Sequence, residues 1–206
     1  MGIAYNQSII QNGLVSASDS RNTKSYSGET FYNLLTSNTL GNPSWANGAT
    51  QLTCICIIKI LGNDTSFAYH PIQKWNTGTP TASFVLYHFQ NYQGNSPSST
   101  NRLGWYANGG GTWKSLTSLY QTTSGNTYFV ALQYNSTSGG QLWINGSKYG
   151  GRGGNGTLGS GTSSVTIDGN VSGRTGIHKV EMVDFYDREL SDSEITYMYN
   201  TLKNRL

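Results

Sequence analysis

Side chains take alternate faces with period two from Tyr128 to Tyr134, so Tyr128, Val130, Leu132 and Tyr134 fall on one face of a strand and Phe129, Ala131 and Gln133 on the other. A loop of small and polar residues from Asn135 to Gly140 ends that strand, a second runs from Gln141 to Ile144, and Asn145-Gly146 follows. Both residues of this dipeptide tolerate positive φ and suit a type I′ hairpin turn, so the pattern predicts an antiparallel meander that closes near Tyr149. A meander with aromatic and β-branched residues on both faces needs a covering layer.

The same signal recurs along the chain. Residues 51 to 61 carry it most strongly, with Leu52, Cys54, Cys56, Ile58 and Ile60 on one face and Ile55 and Ile57 on the other; a strand apolar on both faces belongs at the centre of a sheet. Further strands are predicted from Phe67 to Trp75, from Ala82 to Gln90, from Ser163 to Ile167 and from Ile177 to Tyr186, and Leu14-Val15 opens another. Leu103 to Ala107 and Trp113 to Leu116 read as a hairpin around Asn108 to Gly111. Loops are expected over the polar stretch from Ser16 to Tyr32 with a turn at Ser27-Gly28, over Asn38 to Gly48, and over Asn91 to Asn101. Gly150 to Gly161 has no helix after it to hold a phosphate and is expected to be a flexible loop.

The period changes near the end of the chain. Ser191 and Glu194 have the spacing of a capping box, and Ile195, Met198, Tyr199 and Leu202 follow at i, i+3, i+4 and i+7, which predicts a helix over about 191–205 lying on the sandwich by one stripe. Lys203 and Arg205 stand where the helix dipole favours cations. The fold class expected is all-β, a two-sheet antiparallel jelly-roll sandwich with one C-terminal helix, in a single domain over 1–206.

Composition narrows the function. Charged residues make up 11% of the 206, against about 25% in an average globular protein, while Gly (26) and Tyr (14) are abundant. The net charge of +3 comes from scattered Lys and Arg, which excludes a nucleic-acid surface, and no apolar stretch is long enough to span a membrane. The first residues lack the basic and apolar regions of a signal peptide, so synthesis without cleaved export is expected. Cys54 and Cys56 are two residues apart on one strand face, about 6.5–7 Å, beyond comfortable disulfide reach; two reduced core thiols are expected. The three histidines at 70, 88 and 178 are isolated in the chain, and no zinc-type spacing occurs.

The ten carboxylates offer no catalytic pair. A retaining glycosidase needs acid and nucleophile at alternate positions facing one cleft, but Glu181 and Asp184 are three apart and fall on opposite faces; no other pair and no nucleophile elbow occurs. No enzyme activity, cofactor or metal is expected. Binding has better candidates, because sugar sites use aromatic rings that stack on sugar faces with amides and hydroxyls around them. Trp75, Trp105, Tyr106 and Trp113 lie beside loops rich in Asn, Gln and Thr, with a place in the core or at its rim as the alternative for these rings.

The stretch GIHKVEMVDFYDRELSDSEITYMYNTLKNR resembles the closing strand and helix of concanavalin A-like, laminin G-like jelly-roll domains, through Gly176, Ile177, Tyr186, Asp187, Arg188, Leu190, Ser191, Glu194 and Ile195. Residues 128–149 resemble the paired strands of that family. Pro71 to Asn76 is similar to its "s-K-w" strand, and Gly13 to Leu34 resembles the opening of versions found in bacteriophage virion proteins. Phe31-Tyr32-Asn33-Leu34 departs from the usual Trp-Tyr-Asp-Leu, and the acidic calcium ligands of many laminin G-like domains have no counterpart beyond Asp168. The resemblance implies a non-enzymatic structural protein of a phage virion, decorating the capsid or attached to the tail or fibre. Its partners would be other virion proteins and further copies of itself, with host-surface carbohydrate as a further partner. The alternative is a free-standing carbohydrate-binding module or adhesin.

Overall fold

Strand alternation builds two antiparallel sheets packed face to face. The computed structural model describes residues 10, 12–19, 39–62, 69–74, 84–89, 102–109, 112–115, 120–169 and 177–206. In the first sheet the order is β1 (Leu14–Asp19), β12 (His178–Tyr186), β2 (Gln51–Ile60), β8 (Thr127–Asn135), β9 (Gly139–Ile144) and β10 (Ser147–Gly153). The second runs β11 (Val165–Gly169), β3 (Tyr69–Lys74), β4 (Phe84–Phe89), β5 (Arg102–Gly109) and β6 (Thr112–Ser115), with β7 (Tyr120–Gln121) paired to the start of β5. The turn at Ser27-Gly28, the loop from Asn91 to Asn101 and the motif at 31–34 fall outside the described residues.

β2 is central, between β12 and β8, as its two apolar faces require. One face places Leu52, Cys54, Cys56, Ile58 and Ile60 between the sheets against Ile72, Phe84, Leu86, Leu103 and Trp105 of the second sheet. Ile55 and Ile57 look the other way, with Phe129, Ala131, Trp143, Met182 and Tyr186, and are roofed by Leu190, Ile195, Met198 and Leu202. The roof is α1 (Asp192–Leu202), continued by a 3₁₀ turn at Lys203–Arg205. Both halves of the capping box are made: the Ser191 hydroxyl accepts from the Glu194 amide and the Glu194 carboxylate accepts from the Ser191 amide. Cys54 and Cys56 are buried free thiols.

The glycine-rich stretch departs from the expected flexible loop. Its first part belongs to β10, with Gly153 opposite Gly140 after a bulge that begins at Tyr149. Beyond it, Leu158 is buried in the core and its amide donates to the Ala49 carbonyl, while the Gly156 amide donates to the Ser136 carbonyl. A second irregularity lies in β12, where the register shifts between Val180 and Met182, so that Val180 and Val183 both enter the inter-sheet core. Lys74 is wholly buried, and its ammonium donates to Asn47 Oδ1 at 2.8 Å and to the Gly161 carbonyl at 2.9 Å, tying two loops to the end of β3.

Candidate functional site

Along β5, Leu103, Trp105 and Ala107 point into the core, so Arg102, Gly104 and Tyr106 fall on the outward face of the second sheet. Tyr87 of β4 stands opposite Gly104, and its ring occupies the space that a side chain at Gly104 would need. Tyr87 is only 1% exposed and Tyr106 is half-buried; their ring centroids lie 4.6 Å apart at 40°. Burial first, then the neighbouring Tyr106 hydroxyl, raises the Tyr87 phenol well above its ordinary value, so Tyr87 is neutral. In the backbone ladder between β5 and β6, Tyr106 pairs with Ser115 and Asn108 with Trp113.

The four aromatic candidates thus separate. Tyr106 takes the outward face, and Trp113 lies in β6 with only its backbone pairing to Asn108 described. Trp105 is a correction: it is 1% exposed and stacks on Phe84 at 5.7 Å between the sheets, because successive strand residues take opposite faces and Tyr106 holds the outward one. Trp75 lies outside the described residues. Tyr87 was missed in the sequence. Its signal was Gly104, a glycine inside a strand, which marks a close approach by a neighbouring group.

A concavity of about 680 Å³ lies where β12 turns into α1, lined by Gln133, Arg152, Arg188, Glu189, Asp192 and Glu194 among others. Its acids are engaged. Glu189 pairs with Arg152 and accepts from Asn135 Nδ2 at 2.7 Å, Asp192 meets Lys148 at 2.6 Å, and Glu194 receives both terminal nitrogens of Arg188 at 3.0 and 2.5 Å. Hydrogen bonding to Arg188 holds Glu194 down at about 2. A general acid needs a carboxyl raised towards neutrality, the opposite of what this cleft does to Glu194. Among the described residues no group of three or more His, Cys, Asp or Glu could hold a metal ion, and no helix is long and apolar enough to cross a membrane.

Solved structures share this architecture. Domain 4 of AbnA, a GH43 extracellular arabinanase from Geobacillus stearothermophilus solved in complex with arabinotriose, matches with a TM-score of 0.64 at 11% identity over 92% of this chain and 100% of that one. The receptor-binding domain of botulinum neurotoxin type G matches at 0.62, with 12% identity over 93% of this chain and 51% of that one. Trypanosoma rangeli sialidase in complex with sialic acid matches at 0.59, with 14% identity over 95% of this chain and 34% of that one. The chain therefore spans the whole arabinanase domain but about half and a third of the other two. No family model matches the chain, and no curated protein sequence does. At these identities the likeness shows the fold: an antiparallel two-sheet sandwich of the jelly-roll type, with one helix after its last strand.

Proposed function

We propose that the protein is a non-catalytic carbohydrate-binding module that stacks a sugar against Tyr106 on the outward face of the second sheet. The observation that carries this reading is the Tyr87–Tyr106 pair. A partly exposed ring braced by a buried ring over a glycine cannot swing away, so it offers a sugar's C–H face a flat surface at small entropic cost. The match to a whole domain crystallised with arabinotriose supports the same reading. Absence of catalysis is supported by the ion-paired carboxylates of the cleft.

A glycan array read with the purified protein and with Tyr106→Ala tests it. Binding by the parent and its loss in a variant that keeps the parent's melting temperature is the expected result; an array blank for the parent overturns the proposal. A place on a virion rests on the sequence resemblance, and mass spectrometry of purified particles is its test.

A further inference from the structure

The histidines at 70, 88 and 178, far apart in the chain, gather at one end of the sandwich. His88 and His178 point into the gap between the sheets, since their ladder partners Leu103 and Ile60 belong to the core. His88 Nε2 lies 2.9 Å from Thr122 Oγ1, and its Nδ1 is buried without a hydrogen-bond partner. His178 Nε2 is 3.5 Å from Asp168 Oδ1. His70 stands opposite Gly169, beside Asp168, with Nδ1 at 2.8 Å from Gln73 Oε1.

Asp168 joins the sheets. It sits near the end of β11 with φ of 51°, and both of its carboxylate oxygens accept from the Val180 amide of β12, at 2.9 and 3.1 Å, where the β12 ladder shifts register. One carboxylate of the second sheet thus grips the backbone of the first beside the His178 imidazole, which the His70 and His88 imidazoles of β3 and β4 face in turn.

We propose that this end of the sandwich is an acid-operated latch, closed while the imidazoles are neutral and released when protons enter the cluster and part the start of β12 from β3, β4 and β11. The groups facing one another are His70 from β3, His88 from β4, Asp168 from β11, His178 and Lys179 from β12, and the Cys56 thiol from β2. Burial lowers His88 and His178 from the usual 6.5 to about 4; for His178 the other two imidazoles add to the effect. His70 is lowered too, by burial. Burial raises Asp168 to about 6, against the opposing pull of the Val180 amide and Lys179. The Cys56 thiol is raised by burial and stays protonated.

The signs follow from linkage. Between about pH 6.5 and 4 the unfolded chain binds protons on histidines that the folded one leaves neutral, so the closed state loses stability as pH falls. Asp168 acts oppositely, taking its proton more readily when folded, but it is one group against three, so acid opens the latch. Each histidine that is neutral only when closed weakens it by up to about tenfold per pH unit.

Three measurements on the full chain test this. In proton NMR the histidine ring signals of the folded protein stay unprotonated through pH 6; ring titration with midpoints near 6.5 overturns the proposal. Hydrogen exchange, corrected for its intrinsic pH dependence, speeds up at Val180 and along β3 and β11 between pH 7 and 5, well ahead of β8 and β9. An even rise across both sheets overturns it. The thermal midpoint is level above pH 7 and falls below 6.5, and the fall is shallower in His88→Gln and in His178→Gln. A fall of the same slope in both variants assigns the acid sensitivity elsewhere.

Discussion

Gly146 and Tyr199 are packed so closely that a β-carbon on the first would overlap the ring of the second. Gly146 is the second residue of the β9–β10 hairpin turn, with φ of 77° after Asn145 at 48°, the pair of positive angles that a type I′ turn requires. One residue therefore serves two constraints, the reversal of the meander and the seating of α1 on it. Gly146→Ala pays for both at once, and a loss of about 2–4 kcal/mol is expected from the strained φ and the displaced ring. The denaturant midpoint measures it. Asn145→Ala, which strains the turn and removes the Oδ1 acceptor of the Phe129 amide without touching Tyr199, should cost less.

The start of α1 predicts an acid-dependent contribution of opposite origin to the histidine cluster. Glu194 serves the capping box and the Arg188 pair together and is held at about 2 against a usual 4.5. A depressed carboxyl stabilises the fold above its unfolded value and loses that contribution as pH falls from about 4.5 towards 2. Glu194→Gln should thus be less stable than the parent at pH 7 and converge with it near pH 2. Ser191→Ala removes one cap acceptor and should cost about 1 kcal/mol at neutral pH. Urea unfolding at pH 7, 4 and 2.5 separates the two: equal gaps at every pH for Glu194→Gln would show that its carboxylate plays no such part.

Strand faces were legible because period two survives in single sequence. Leu52, Cys54, Cys56, Ile58 and Ile60 stay together in the structure, as do Tyr128, Val130, Leu132 and Tyr134. What alternation could not say was which covered face looks at which layer. Trp105 and Tyr106 are both aromatic, so their parity alone does not tell the core face from the outer one. The β12 bulge breaks the parity itself, bringing Val180 and Val183 inward together. The glycines of 150–153 concealed a strand, since residues without side chains leave no alternation to read. The histidine cluster was invisible for another reason: its members come from three strands in two sheets, and only tertiary pairing unites them.

Gln133, the polar member of the Phe129 and Ala131 face, is 2% exposed beneath the chain that enters α1. Its Nε2 donates to the Leu190 carbonyl at 2.6 Å and its Oε1 accepts from Trp143 Nε1 at 3.1 Å. Replacing it by Leu keeps the bulk and strands a buried indole N–H and a buried carbonyl, for an expected loss of about 2–4 kcal/mol. Thr53 does similar work nearby, with its hydroxyl donating to the Arg188 carbonyl and accepting from the Leu190 amide, each at 2.9 Å. The double variant Gln133→Leu, Thr53→Val should lose less than the sum of the singles, because both grip one segment. Strict additivity in a double-mutant cycle would mean the two act independently.

Trp105 and Tyr106 give the sharpest test of function, since adjacent residues on one strand are assigned opposite roles. Trp105 fills the space between the sheets against Phe84, with Gly140 clearing room for its indole nitrogen, so Trp105→Ala opens a cavity and should cost about 3–5 kcal/mol. Tyr106 is half-buried on the outer face, and Tyr106→Ala should cost far less stability, about 1 kcal/mol for the lost ring contact. Sugar affinity should show the reverse order. Tyr106→Ala should weaken binding by about tenfold, near the upper end of one ring's stacking contribution. Trp105→Ala, assayed at a temperature where it stays folded, should bind as the parent does. Melting curves paired with titration calorimetry on a glycan selected from the array give both readings. A variant set in which Trp105→Ala, still folded, loses the sugar while Tyr106→Ala keeps it would move the binding site off this face of the sheet.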